Sequence, residues 1–205
     1  AVVAPSSPSY VFTITDNDVI PTGSITTATI GTGVTGLNIP FRSEFTDART
    51  QILYTAAELT TAGFSAGNIY SIAFNVSTKA STAPFNNFNI KIKNTTTTAL
   101  QGGIFEGGTT PVFGPVNYST VAGVNTFVLS SPFAGDGTSN LLIDICFDNS
   151  TASAAPDLVA GTLGFTRTQF DRVNGAAGCS LPNATFVSGG GGSRINITFA
   201  FGSPV

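Results

Sequence analysis

Histidine, methionine and tryptophan are absent from the 205 residues, and only 9% of the chain is charged. Lack of histidine removes the commonest general base and the commonest metal ligand. Ser–His–Asp and Cys–His arrangements are thereby excluded. Typical domains carry about 25% charged residues, so the polar surface here must be built from Thr, Ser, Asn and Gly. With a net charge of −3 and eight scattered basic residues, the chain lacks the Lys/Arg clusters that nucleic acid requires. Apolar runs are short, and none reaches the roughly 18 residues that span a bilayer. The stretch Ile195 to Phe201 is broken by Asn196 and Thr198. No membrane insertion and no signal peptide are expected. A chain with no methionine also implies that Ala1 is a cut or processed end.

Phosphate loops fail on context. Gly107-Gly108 and the Gly189 to Gly192 run lack the strand-to-helix setting and the lysine; the latter reads as a loop of high backbone freedom. Glycoside hydrolysis needs two acids about 5–10 Å apart in a cleft. Glu44, Glu58 and Glu106 are far apart in sequence, and Glu58 has another role below. No catalysis is expected.

What is present is 41% hydrophobic residues with 17 Phe, enough for a core filled by phenylalanine in place of Trp and Met. Alternation of apolar and polar residues marks strands at Tyr10–Thr15, Ile69–Val76, Phe88–Lys93 and Arg194–Phe199. Leu141–Phe147 is more continuous and reads as a central strand interrupted at Asp144, a residue expected to face solvent or hydrogen-bond a turn. Val112–Tyr118, Thr126–Leu129 and Gly161–Thr166 are further strands. Gly102-Gly103, Asp136-Gly137 and Asn174-Gly175 mark turns between them. This spacing predicts an all-β fold, an antiparallel β-sandwich or jelly roll. One short helix is predicted over Ala56–Ala62, from the capping box Thr55-Ala56-Ala57-Glu58 and the terminating Gly63.

Cys146 and Cys179 are too far apart in sequence for a compact redox or metal motif. In a charge-poor, Thr-rich chain they predict one disulfide in an oxidising compartment, with two buried free thiols as the alternative. Asp16 and Asp18, spaced to share a hard cation at a strand end, form a candidate interdomain calcium site, with an acidic turn as the simpler reading. The loop Asp136–Asn140 lacks the third acid and closing Glu of a calcium loop and reads as a tight turn. Asp16-Asn17-Asp18-Val19-Ile20-Pro21 marks a boundary. Residues 1–20 are read as the tail of a preceding module and linker, and 21–205 as the β-sandwich surface module. Tyr54, Tyr70 and Tyr118 are the aromatics available to a sugar site, each more consistent with core or rim. Six Asn-x-Ser/Thr sequons, at Asn75, Asn94, Asn117, Asn149, Asn183 and Asn196, are accounted for by the abundance of Asn and Thr.

Two segments resemble known families. Tyr10-Val11-Phe12-Thr13-Ile14-Thr15-Asp16-Asn17-Asp18 resembles the closing strand of a Calx-β domain. Gln51–Leu59, Ala66–Val76, Phe88–Ile92 and Gly137–Phe147 together resemble a β-sandwich module of very large secreted Bacteroidota surface proteins. Gliding-motility adhesins exported by type IX secretion are among these proteins. The resemblance implies an extracellular or bacterial cell-surface location and a structural or adhesive role. Its expected partners are neighbouring domains of the same polypeptide or assembly, and surface glycans. A carbohydrate-binding module, or a filament subunit assembled by strand addition through residues 10–15, are the alternatives.

Overall fold

The computed structural model describes residues 24–164, 166–187 and 193–202. The strands are β1 (Thr26–Ile30), β2 (Thr35–Leu37), β3 (Asp47–Tyr54), β4 (Gly67–Thr78), β5 (Phe85–Thr95), β6 (Gly103–Ile104), β7 (Thr110–Tyr118) and β8 (Gly123–Gly135). They continue with β9 (Asn140–Asp148), β10 (Leu158–Leu163), β11 (Thr168–Val173), β12 (Asn183–Ala184), β13 (Phe186–Val187), β14 (Ser193–Ile195) and β15 (Ile197–Gly202). Helix α1 (Ala56–Thr61) follows β3. The predicted strands at Tyr10–Thr15, the Asp16/Asp18 site and the Gly189 to Gly192 loop lie outside the described residues.

Two antiparallel sheets pack face to face, as the alternation predicts. The first holds seven strands along the path β1–β15–β4–β10–β14, with β2 on β10 and β8 on β4. The second runs β13–β11–β3–β9–β5–β7. β1 lies antiparallel on β15 with Thr26 opposite Phe201. The predicted single strand Arg194–Phe199 is two: Ile195 pairs with Gly161 on β10, whereas Ile197 pairs with Ile30 on β1. Asn196 turns the chain between partners, with its backbone N–H on the Ala160 carbonyl at 2.9 Å.

Aromatic rings fill the gap between the sheets. Phe85 meets Phe147 edge-on at 4.8 Å, and Tyr118 lies 4.8 Å from Phe127, with Phe41, Phe88 and Phe113 linking the two pairs. At the other end Phe64 sits 4.7 Å from Phe201, and Tyr54 meets Phe199 edge-on. Tyr54 is fully buried and donates its hydroxyl to the Ile195 carbonyl at 3.0 Å, a hydrogen bond from one sheet to the other. Burial pushes its phenol up.

The helix forms as its capping box requires. The Thr55 hydroxyl accepts from the Glu58 N–H while the Glu58 carboxylate accepts from the Thr55 N–H at 2.9 Å. Gly63, at φ +87°, takes the left-handed turn that ends it. Leu59 is its buried residue.

Candidate functional site

The disulfide Cys146–Cys179 is present, with Cα atoms 4.9 Å apart. It ties the C-terminal end of β9 to a 3-10 turn at Gly178–Ser180. That turn belongs to a covering layer over the outer face of the second sheet, which also includes residues 96–109 and the small β6–β12 ladder. β9 is therefore buried on both faces, which is why its sequence runs nearly continuously apolar.

Under that cover lies a polar network on β3, β9 and β11. Asp144 is fully buried and bonds side chains of β3, a correction to the expectation that it faces solvent or hydrogen-bonds a turn. Arg49 grips both of its oxygens, Nε to Oδ1 at 3.1 Å and Nη2 to Oδ2 at 2.6 Å. The third arm of the fork reaches the Leu181 carbonyl at 2.7 Å, and the guanidinium lies 4.5 Å above the Phe105 ring. Gln51 donates to Asp144 at 3.0 Å and exchanges two hydrogen bonds with the Glu106 backbone, at 2.8 and 2.9 Å. Gln169 donates to Gln51 at 2.8 Å. Glu106 pairs with Lys93 at 2.7 Å. Burial raises its carboxyl, but the hydrogen bonds from Lys93 and Thr95 outweigh that and hold it below its usual range. The network fastens the covering layer to the sheet.

Asp157 is a second buried anchor. Its carboxylate accepts from the backbone N–H groups of Ala80 (2.7 Å) and Ser81 (2.6 Å), from the Ser81 hydroxyl (2.9 Å) and from Thr120. Burial raises its carboxyl, and the hydrogen bonds from Thr120, Ser81 and Ala80 bring it below the usual value. Three loops are joined at one side chain.

The other singled-out residues are separated. Asp136 accepts from the N–H of Thr138 at 2.8 Å and of Ser139 at 2.7 Å, closing a turn on itself. Those bonds and the Ser139 hydroxyl lower its carboxyl to about 2. Glu44 pairs with Arg42, and Glu58 with Arg194. Among the described residues no group of three or more Cys, Asp or Glu side chains is placed to hold a metal. No described helix is long and apolar enough to cross a membrane. Tyr118 packs among Phe88, Phe113 and Phe127, and donates to Asn125 at 3.0 Å.

The first sheet presents a different outer surface. β1, β15, β4 and β8 lie side by side, and none of them contains Asp, Glu, Lys or Arg. Their inward positions are apolar, as at Ala28, Phe199, Ile72 and Phe127, all 0% exposed. Outward, the registers align Thr29, Thr198, Ala73 and Thr126 in one row, and Thr27, Ala200, Ser71 and Val128 in the next. Thr29 and Thr198 share a hydrogen bond of 2.9 Å between hydroxyls. Val124 and Val128 stand 67% and 69% exposed along β8. Beside them a shallow hollow of about 180 Å³ is lined by Thr29, Ala73, Asn75, Val124, Asn196 and Thr198. No single residue in this face announces it, and only the topology brings the four strands together.

Comparison of the chain with protein-family models, curated proteins and solved structures yields no match.

Proposed function

We propose that the chain is a non-catalytic structural or adhesive module of a large extracellular bacterial surface protein. The observation that carries this reading is the uncharged outer face of β1, β15, β4 and β8, which no other described element covers, on a sandwich whose other face is covered and fastened by a disulfide. Val124 and Val128, exposed on that face, give it apolar area of the kind that marks contact surfaces. The disulfide fits an oxidising location. The resemblance of Gln51–Leu59, Ala66–Val76 and Gly137–Phe147 to modules of secreted Bacteroidota proteins supports a cell-surface setting, with type IX export and neighbouring domains as partners. Antibodies to the folded chain are expected to label intact source cells, and deletion of the module to reduce their surface adhesion. Labelling only after lysis, or unchanged adhesion, would overturn the reading.

Carbohydrate binding is the second reading. It draws support from Phe186, exposed at 36%, with the Arg172 guanidinium 4.3 Å above its ring. The exposed ring offers apolar surface and the guanidinium offers hydrogen-bond donors. Glycan-array binding abolished by Phe186→Ala would favour it. Strand addition draws support from β1, which among the described strands pairs with β15 alone. Calcium at Asp16 and Asp18 belongs to the same proposal of a tandem setting, and isothermal titration of the chain with its neighbours tests it.

A further inference from the structure

Asn174-Gly175 follows β11, and the pair has chemistry of its own. Two torsions of Asn174 separate its side-chain Cγ from the Gly175 nitrogen, and attack of one on the other closes a five-membered imide. Gly175 adds no side chain to crowd the attack, and both residues are exposed to water. Sheet register brings in a third residue. β11 ends with Val173 opposite Asp47, the first residue of β3, so Asn174 lies beside Thr46. The Thr46 N–H donates to Asn174 Oδ1 at 3.0 Å, and the Gly175 N–H donates to Thr46 Oγ1 at 2.9 Å. The Thr46 hydroxyl in turn donates to Oδ2 of the buried Asp47 at 2.5 Å. Each bond has the direction that cyclisation needs. A donor on Oδ1 polarises Cγ and holds the oxyanion that attack creates. An acceptor on the Gly175 N–H leads through a hydroxyl to a carboxylate, which is a general-base relay. We propose that Asn174 is a self-modification site, cyclised onto Gly175 with Thr46 and Asp47 as catalytic residues and then opened by water to aspartate or isoaspartate.

The steps balance without an oxidant or cofactor. The Gly175 nitrogen passes its proton to Thr46 Oγ1 as the Thr46 proton moves to Asp47, and the bond from nitrogen to Cγ forms. Collapse of the tetrahedral centre breaks the bond from Cγ to Nδ2. The proton held on Asp47 returns through Thr46 to the leaving amine, which departs as ammonia. Water then adds to one imide carbonyl, and ring opening yields aspartate or isoaspartate. The product carries one more negative charge than the −3 of the chain, a few residues ahead of the turn that holds Cys179. Asp136-Gly137 has the same kind of sequence and the opposite setting. Its carboxyl, lowered to about 2 by Thr138 and Ser139, is an anion at neutral pH and a poor electrophile.

Peptide mass spectrometry of the folded full chain, aged at mildly alkaline pH in heavy-oxygen water, tests it. The expected result is conversion of Asn174 to aspartate and isoaspartate, each carrying the heavy isotope, while Asp136 keeps its ordinary linkage. Thr46→Val keeps the N–H on Oδ1 and removes the relay, and should slow conversion about tenfold or more. Thr46→Ser returns the hydroxyl and should return the rate. Unfolding in urea leaves the Asn-Gly pair intact but takes Thr46 away from it, so the unfolded chain should convert more slowly than the folded one. An Asn174 that stays intact in the folded chain overturns the proposal, as does a Thr46→Val rate equal to or above the original. Conversion as fast in urea as in the fold would also overturn it and assign the reaction to the dipeptide alone. Cell-surface labelling is independent of all these outcomes.

Discussion

Arg49 and Asp144 show how a buried ion pair can be worth little in itself and still be costly to break. Both lose water under the covering layer, and their mutual attraction offsets that loss only because the geometry is bidentate and Gln51 and Leu181 take up other groups. Asp144→Ala leaves the guanidinium buried without its anion, and a loss of about 3–5 kcal/mol is expected in urea unfolding. The double change Arg49→Met with Asp144→Leu should cost much less. In sequence Asp144 reads as a polar interruption in an apolar strand, because its partner stands 95 residues away and nothing local signals it. Gln51 and Gln169 are silent for the same reason. Asp157 is likewise invisible, as its role depends on three loops meeting.

Elements were more legible than residues where the physics is local. The capping box over Thr55–Glu58 sets both ends of its own hydrogen bonds within four residues, so α1 was readable directly. Thr55→Ala is expected to lower stability by about 1 kcal/mol, measured as a shift in the denaturant midpoint. Alternation located β4 and β5 for the same reason. Pairing was not legible: the run Arg194–Phe199 keeps its alternation while changing neighbours at Asn196, since period-two patterning reports a face and never a partner. The covering layer is not legible in the sequence because its hold comes from side chains of the sheet beneath. The chain-entropy estimate for its disulfide is roughly 3–4 kcal/mol. Replacing Cys146 and Cys179 by Ala should remove about that much and raise amide exchange over residues 174–187 first. Uniform loss of protection across β3 and β9 would contradict this order.

For the whole molecule, acid is the informative perturbation. Asp157, Glu106 and Asp136 all have carboxyls held low in the folded state. Groups lowered by folding contribute stability above their unfolded values near about 4, and that contribution is lost as pH falls through the folded ones. The denaturant midpoint should thus be flat above about pH 5 and fall towards pH 2. Asp157→Asn should lower the plateau and flatten the fall, whereas an equally steep acid limb would exclude Asp157 as a contributor. The chain's 9% charge was visible from the start. That four adjacent strands share none of it emerged only once β1, β15, β4 and β8 were placed side by side.

The pairing of β1 with β15 has a mechanical side. Thr26 faces Phe201, and the Ser24 carbonyl lies against Gly202, so the segments that lead to either side leave from one corner. Tension through both would open that ladder rung by rung, like a zipper, and would not slide the strands past each other.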